Sequence, residues 1–424
     1  MIAILFIAFL IFLLIGIPIA FALGLSAMVY LLFSDIPLIV IPQKMYAGLD
    51  VFVLLSIPGF ILAGNLMNAA GITQRIIAFC NALLGHIRGG LGLANVGASM
   101  LFGGISGTAI ADTASIGSVM IPAMEKEGYD KGFSCAVTAT SSTLGPIIPP
   151  SLPMIIAATL TGLSVGKLFI AGIIPGLLLG LGLLGLTYFI SVKRKYPKKK
   201  RASWMTMAKS FYQAFWALMM TFLILFGIIG GVFTPTEASI MAVVYALAIG
   251  LLVYKELKWV QLPKIILDSA KMTASLMVLV GFANLFAWIM TVEEIPQMIA
   301  SGLLGLTENK FLILLLINVL LLFVGAFMET IAALLILFPV LLGVALHVGV
   351  DPVQFAIIMV MNLVIGLTTP PVGVCLFVAS SIGNISLEKI SRAGFPFLLV
   401  SLIILLLVTY IPEISLFLPG LFYD

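Results

Sequence analysis

The sequence has 424 residues, of which 62% are hydrophobic and only 9% are charged. Soluble domains usually carry about 25% charged and under about 50% apolar residues, so this chain cannot hide its apolar side chains in a water-facing globule. Two histidines and three scattered cysteines leave no zinc spacing and no disulfide framework. The composition predicts an all-α integral membrane protein.

A run of basic residues explains much of the net charge of +4. Seven of the 21 basic residues lie between Lys193 and Arg201, beside apolar segments. Such a run is typical of a cytoplasmic membrane flank, so we expect no nucleic-acid partner. The apolar N-terminus lacks a basic n-region, which argues against a cleaved signal peptide.

Ten apolar segments come close to, or exceed, the roughly 20 residues that a helix needs to cross the hydrocarbon. In chain order these candidate spans are 2–17, 18–33, 50–70, 132–163, 166–191, 209–232, 235–254, 270–291, 353–382 and 394–412. The shorter, more polar segments 71–88 and 293–309 predict amphipathic arms along the membrane surface. Residues 259–269 predict a further interfacial helix that leads into the following span.

Four interruptions divide the longer apolar segments. Residues 91–125 contain GGISGT at 103–108, and residues 311–346 contain GAFMET at 325–330. Each pattern predicts a re-entrant hairpin, which turns at membrane depth and returns to its entry side. The segments 132–163 and 353–382 contain Pro-Pro pairs, which predict two helices that unwind at depth.

The same succession of elements occurs twice, which predicts two inverted-topology repeats. An offset of about 220 residues aligns Asp112 with Glu329 and Gly145 with Gly366. If each half crosses the membrane five times, the second half is inverted relative to the first. A cytoplasmic basic run then places 18 of the 21 basic residues inside, all except Lys44, Lys167 and Lys310, and both termini outside.

These elements predict a division of the chain into two halves and a linker. The first repeat, 1–191, comprises scaffold helices 1–70, arm 71–88, a cytoplasm-opening hairpin 91–125, broken helix 132–163 and helix 166–191. A basic cytoplasmic linker follows at 192–208. The second repeat, 209–424, comprises scaffold helices 209–291, arm 293–309, a periplasm-opening hairpin 311–346, broken helix 353–382 and helix 394–412.

Three acids fall within apolar segments: Asp112, Glu237 and Glu329. An ionised side chain at depth costs several kcal/mol unless it is paired, hydrated or metal-bound, so such acids are functional candidates. The alternative is that each acid caps a helix. A cap at a hairpin tip still shapes a site.

The interruptions also supply hard oxygen ligands for a cation such as Na⁺. Unwound backbone exposes carbonyl groups, and hydroxyl groups lie beside them. The alternative is that the glycines allow close packing and the hydroxyls bond back to their helices. The Na⁺ candidates are Ser106, Thr143, Gly145 and Pro149 in the first half and Gly325, Gly366, Thr368, Thr369 and Pro370 in the second.

No basic residue is predicted at membrane depth. An anionic substrate would therefore be held by helix N-termini and by amide or hydroxyl donors. The alternative is that the asparagines join helices, which is an equally common role of asparagine in membrane helices. The substrate candidates are Asn95, Thr108, Ser141, Ser142, Asn284 and Asn362, with Asn318 as a further amide. Thr330 is a further hydroxyl candidate for the cation, not for the substrate.

Four motifs resemble those of a known family. They are GISGTAIADTASIGSVMIPAM at 104–124, GPIIPPSLPM at 145–154, TPTEA at 234–238 and TPPVGV at 369–374. Together they look like the large membrane subunit of tripartite ATP-independent periplasmic (TRAP) transporters, and the resemblance covers essentially the whole chain.

The resemblance implies an elevator-type secondary carrier driven by Na⁺, with no enzymatic activity and no organic cofactor. It implies a small four-helix membrane subunit and a soluble periplasmic binding protein as partners, in a bacterial inner membrane. The implied cargo is a carboxylate, either a sialic acid or a C4-dicarboxylate. Family Na⁺ sites carry over onto Ser106, Gly145, Pro149, Gly325, Thr369 and Pro370.

Other functions stay open at this point. A stand-alone Na⁺/carboxylate symporter would share the inverted hairpins but would work without a binding protein. An intramembrane hydrolase would need a nucleophile and histidine pair, which is not evident. An ion channel fits poorly with two closed hairpins.

Overall fold

The structure is a computed structural model that describes residues 2–307 and 309–423, without the side chains of 105, 106, 300 and 303–306. In that part of the chain every regular element is a helix and none is a strand. Eight of the described helical stretches are long and apolar enough to cross a membrane. The prediction of an all-α membrane protein is therefore confirmed.

Ten α-helices make up the first half of the chain. They are α1 Ile2–Leu14, α2 Ile19–Leu32, α3 Val40–Leu49, α4 Ser56–Ala69, α5 Ile72–Leu84, α6 Gly90–Ser106, α7 Ala109–Lys126, α8 Lys131–Ser141, α9 Leu152–Thr161 and α10 Val165–Lys193. A 3₁₀ turn, Phe52–Leu55, leads into α4, and another, Ser142–Leu144, ends α8.

Ten more α-helices follow the basic linker. They are α11 Trp204–Ile229, α12 Pro235–Ala248, α13 Leu262–Val292, α14 Ile295–Leu306, α15 Lys310–Phe327, α16 Thr330–His347, α17 Pro352–Gly366, α18 Val374–Gly383, α19 Leu387–Tyr410 and α20 Glu413–Tyr423. The helix expected at 259–269 leads into the following span, because α13 runs without a break from Leu262 after a 3₁₀ turn at Trp259–Gln261. Its location at the membrane surface stays a prediction.

The start of α12 shows how local sequence sets a helix boundary. Thr234 Oγ1 accepts a hydrogen bond from Glu237 N at 3.3 Å, and Glu237 Oε2 accepts one from Thr234 N at 2.8 Å. This reciprocal pair is a capping box, and Pro235 occupies the first helical position, where its missing N–H costs nothing. Glu237 is exposed, so its role here is that of a helix cap.

The two hairpins and the two interrupted helices pack around one another. The first hairpin, α6 and α7, contacts α8 from its own half and α18 from the other half. The second hairpin, α15 and α16, contacts α17 from its own half, and its helix α16 also contacts α9. The four interruptions are thereby brought to the middle of the fold. The inverted membrane orientation of the two halves stays a prediction.

The basic linker is attached to loops of the first half. Gly89 N donates to Pro197 O at 3.1 Å, and Lys199 N donates to Gly85 O at 3.0 Å. The Lys199 ammonium pairs with Glu127 at 2.6 Å, and Arg194 pairs with Asp130 at 3.3 Å. These contacts gather predicted cytoplasmic residues at one end of the molecule.

Candidate functional site

The tip of the first hairpin lies directly against the interruption between α8 and α9. A methyl group on Gly103 would lie 2.8 Å from Gly145 Cα, and one on Gly104 would lie 2.8 Å from Pro149 O. Real Cβ atoms do not approach other atoms so closely, and therefore only glycine fits at 103 and 104. The sequence predicted this neighbourhood as a cation site.

The tip of the second hairpin meets the interruption between α17 and α18 in a similar way. A methyl group on Gly366 would lie 2.6 Å from Gly325 Cα, and one on Gly325 would lie 2.8 Å from Leu363 O. Gly373 N donates to Ala326 O at 3.1 Å, which joins the far end of the interruption to the same tip. Backbone packs on backbone in both halves.

Both interruptions carry a cis peptide bond, at Pro149–Pro150 and at Pro370–Pro371. Prolines lack an N–H group, so these stretches cannot continue the helical hydrogen-bond ladder. Ser151 resumes helix α9 as its N-cap, accepting from Met154 N at 3.3 Å. The carbonyl groups of each interruption thus lie outside regular helix, where they can serve as cation ligands.

The hydroxyl groups proposed for Na⁺ donate hydrogen bonds to carbonyl groups about one turn back. Thr143 Oγ1 donates to Thr140 O at 2.6 Å, while Thr368 and Thr369 donate to Ile365 O at 2.8 and 3.1 Å. A hydroxyl that donates its proton keeps lone pairs for a cation, so back-bonding and ligation are compatible. The side chain of Ser106 lies outside the described residues.

The two hairpin acids occupy different positions. Glu329 is the N-cap of α16, where its Oε2 accepts from Ile331 N at 2.9 Å and Ala332 N at 3.2 Å. Asp112 lies one turn inside α7, whose N-cap is Thr108. The Asp112 side chain is buried, and a methyl group on Gly145 would collide with its Oδ2. Both carboxylates lie where the helix dipole favours negative charge.

Most of the substrate candidates join helices to one another. Asn95 Nδ2 donates to Thr138 Oγ1 at 2.6 Å, and Ser99 and Ser141 share a hydrogen bond of 2.8 Å. Asn362 Nδ2 donates to Asn318 Oδ1 at 2.6 Å. Ser142 Oγ donates to Thr138 O at 2.8 Å. Asn95, Ser141, Ser142 and Asn362 are all buried and line none of the described cavities.

Thr108 and Asn284 do line cavities, but not the same one. Thr108 borders a cavity of about 40 Å³ between α4, α6, α7 and α13, beside Asn65 and Asn68. These two asparagines also line an adjoining space of about 320 Å³ with Asp268. Asn284 borders a separate cavity of about 450 Å³. The structure therefore separates Thr108 from Asn284, because the two side chains border different cavities.

Sequence reasoning missed Asn65 and Asn68. Asn65 Nδ2 donates to Ser269 Oγ at 2.8 Å and Asn68 Nδ2 to Ser115 Oγ at 3.0 Å, which connects α4 to α13 and to the first hairpin. The available signal was two amides three residues apart in the apolar segment 50–70. Residues with that spacing share one helix face.

Comparison with known proteins identifies the family. The profile of the family described as "Tripartite ATP-independent periplasmic transporter, DctM component" matches residues 6–414. The chain belongs to this family. The family resemblance expected from the four motifs is thereby confirmed, and DctM-family membership makes this chain a large permease component of a TRAP transporter and a multi-pass membrane protein.

Named DctM-family relatives align with nearly the whole chain. The C4-dicarboxylate TRAP transporter large permease protein DctM of Pseudomonas aeruginosa is 44% identical, with 94% of both chains aligned. The sialic acid TRAP transporter large permease protein SiaM of Vibrio cholerae is 41% identical over 96% of both chains. The isethionate TRAP transporter permease protein DctMQ of Oleidesulfovibrio alaskensis is 44% identical, and this chain spans 65% of its length.

A solved structure supports the fold alone. The YdaH transporter of Alcanivorax borkumensis superposes with a TM-score of 0.60 over 90% of this chain and 86% of that one. Sequence identity is 15%, so the similarity carries no information about substrate or mechanism.

Proposed function

We propose that this DctM-family chain translocates a carboxylate across a bacterial inner membrane, coupled to Na⁺, by an elevator mechanism. The observation that carries this proposal is the pair of backbone contacts, Gly103 with Gly145 and Gly325 with Gly366. Each contact sets the carbonyl and hydroxyl oxygens of an interrupted helix beside a hairpin tip. Such oxygen-rich, irregular backbone suits an alkali cation.

The names of the relatives indicate which class of molecule to propose as cargo. Their names specify C4-dicarboxylate, sialic acid and isethionate. Each of these molecules is a small anion with a carboxylate or sulfonate group. We assign a carboxylate of the sialic acid or C4-dicarboxylate class to this chain, with helix N-termini and amide donors near Thr108 holding the anionic group.

Partners follow from the same family. We assign to this chain a small four-helix membrane subunit and a soluble periplasmic binding protein, with both termini on the periplasmic side. Helix α11 offers a broad apolar surface to lipid or to a subunit, because Phe211, Tyr212, Phe222 and Phe226 are all exposed. A contiguous apolar face of this kind is covered in the working protein.

Coupling has a simple physical basis in this arrangement. Hairpins α6–α7 and α15–α16, with the interrupted helices, would move as one body against the scaffold helices. A half-loaded site would carry unsatisfied polar groups through the membrane, which is costly. Na⁺ and substrate together remove that penalty, so the fully loaded form crosses more readily than the half-loaded form.

Uptake into proteoliposomes tests the proposal. The full chain would be reconstituted with its small subunit, with candidate binding proteins outside and Na⁺ varied. We expect Thr369→Ala to raise the Na⁺ concentration for half-maximal uptake by about tenfold, because one oxygen ligand is lost. Ser106→Ala is the equivalent change in the first half.

Thr161→Ala is the matched control, because Thr161 Oγ1 also bonds back to a carbonyl, Ala157 O at 2.8 Å, but lies away from both interruptions. Unchanged Na⁺ activation in the Thr369→Ala protein would reject that residue as a ligand. Full uptake without any binding protein would instead indicate a stand-alone symporter.

A further inference from the structure

The cavity of about 450 Å³ lies apart from the hairpin tips. It is enclosed by α3, the turn before α4, α9, α13 and α16. Its polar lining consists of Lys44, Thr159, Asn284 and Thr291, and its apolar lining includes Trp288. A volume of this size lies within the range of small-molecule sites.

Lys44 gives this cavity a positive charge. The side chain is half-buried, and its Nζ lies 4.9 Å from the centre of the Trp288 ring. Among the described residues no carboxylate lies within ion-pair distance of Lys44. Glu293, two residues beyond Thr291, is hydrogen-bonded instead to Tyr30 at 2.5 Å. The ammonium group is therefore available to an anion.

The neighbouring groups hold Lys44 in place. Asn284 Nδ2 donates to Lys44 O at 2.7 Å, which fastens α3 to α13. Gly48, one turn along α3, allows this approach, because any side chain there would collide with Asn284. The second N–H of the Asn284 amide remains as a further donor. Thr159 and Thr291 donate to carbonyl groups of their own helices at 2.7 and 2.9 Å.

The two sides of the cavity are formed by helices with different roles in the proposed mechanism, the static scaffold and the moving body. Lys44 and Asn284 belong to scaffold helices, whereas Thr159 and Leu335 belong to an interrupted helix and to the second hairpin. Leu335 lies six residues beyond Glu329, which is about 9 Å along the axis of α16. Lys44 is also among the three basic residues predicted to lie outside the cytoplasm.

We propose that this cavity is an anion-receiving site in which Lys44, backed by Trp288 and Asn284, holds the acid group of the cargo before it reaches the hairpin tips. The proposal rests on the proposed function for the direction of movement. Its ligand class is a small carboxylate or sulfonate anion. Capture near Lys44 would be electrostatic, and so it would weaken as ionic strength rises.

Trp288 reports directly on this site. In the full-length chain, Trp204, Trp216 and Trp259 would be replaced by Phe, leaving Trp288 as the sole tryptophan, which would be excited selectively over tyrosine. Succinate, sialic acid and isethionate would then be added at constant ionic strength, with chloride as the control anion. We expect saturable quenching by at least one acid, weakened about tenfold or more by Lys44→Gln.

Lys310→Gln is the matched charge control. It removes one positive charge from the same predicted side, but Lys310 Nζ donates to Gly349 O at 2.9 Å, outside the cavity. Quenching that survives Lys310→Gln and is lost in Lys44→Gln supports the site. Equal quenching in all variants, or equal quenching by chloride, overturns it. Thermal melting of each variant checks that the fold is retained.

Uptake separates this proposal from the proposed function. In proteoliposomes we expect Lys44→Gln to raise the apparent KM for the cargo about tenfold, with kcat and Na⁺ dependence unchanged. An unchanged KM would overturn the receiving role. If no acid is transported at all, the proposed function fails, while anion binding at Lys44 is still decided by Trp288 emission.

Discussion

The two hairpins make the same backbone contact in different surroundings. Helix α6 is almost entirely enclosed by protein, whereas α15 exposes a row of large apolar side chains that includes Phe311, Val319 and Phe323. Their sequences match these environments, since α6 is rich in glycine, alanine and serine while α15 is dominated by leucine. Small residues allow the close helix packing of α6, and apolar ones suit a lipid-facing helix.

The polar contacts differ as well between the two units, each of which consists of one hairpin and the interrupted helix that it contacts. The first unit joins its hairpin to its interrupted helix through the Ser99–Ser141 and Asn95–Thr138 bonds, and the second uses the Asn318–Asn362 bond. The glycine contacts are therefore the shared requirement of the architecture, while the attached polar groups vary. Substitutions at matching places in the two units can separate these contributions.

The largest difference in stability is expected between Gly366→Ala and Gly145→Ala, which place a methyl group at the two interruptions. At Gly366 a methyl group would meet the backbone of Gly325, which cannot move aside, whereas at Gly145 it would meet the Asp112 side chain. We expect Gly366→Ala to cost about 3 kcal/mol of stability and to abolish uptake, and Gly145→Ala to cost about 1 kcal/mol. Thermal melting and uptake measure both effects.

Two further variants test the cause of this difference. Gly343→Ala in α16 meets nothing within 4 Å and should cost no stability, because alanine is the better helix former. Adding Asp112→Ala to Gly145→Ala should recover part of the lost stability, because the clash is removed. A double mutant whose losses simply add would refute the assignment of the clash to Asp112.

An intermediate effect is expected at Glu329. Its carboxylate caps α16 through two backbone N–H groups, so Glu329→Ala should cost about 1 to 2 kcal/mol. Glu329→Asp should restore most of that loss, since aspartate is a strong N-cap residue. The measurement is the melting temperature of the unsubstituted protein, the Glu329→Ala protein and the Glu329→Asp protein. A Glu329→Asp protein that is no more stable than the Glu329→Ala protein would contradict a capping role.

Much of the fold could be predicted from the positions of glycine and proline in the sequence. The clusters at 103–108, 145–151, 325–330 and 366–373 break helices for physical reasons that depend only on residue type. Helix α3 was not expected, because its sequence contains Pro42, Gln43 and Lys44 and it buries none of its residues. Its apolar residues Ile41, Met45 and Leu49 recur at four-residue spacing and pack against the core while only partly buried. A single short stripe within ten residues is a weak periodic signal.

The candidate site was harder to predict at the level of single side chains. Asn284 and Asn362 both bond to a neighbouring helix, yet only Asn284 also borders a described cavity. Local sequence cannot separate these roles, because the partner comes from a distant element: Lys44 for one and Asn318 for the other. Only the packing of the helices decides between them.

The smallest difference is expected at the side-chain bonds that join each hairpin to the interrupted helix of its own unit. Asn362→Ala leaves the buried Asn318 Oδ1 without its donor, so we expect a loss of about 1 kcal/mol. Ser141→Ala should cost less than about 0.5 kcal/mol, because Ser99 Oγ still bonds to Asn95 O at 3.1 Å. Thermal melting in lipid nanodiscs resolves the order, and a larger loss for Ser141→Ala would show that the hydroxyl bond, not the amide bond, holds its hairpin more firmly.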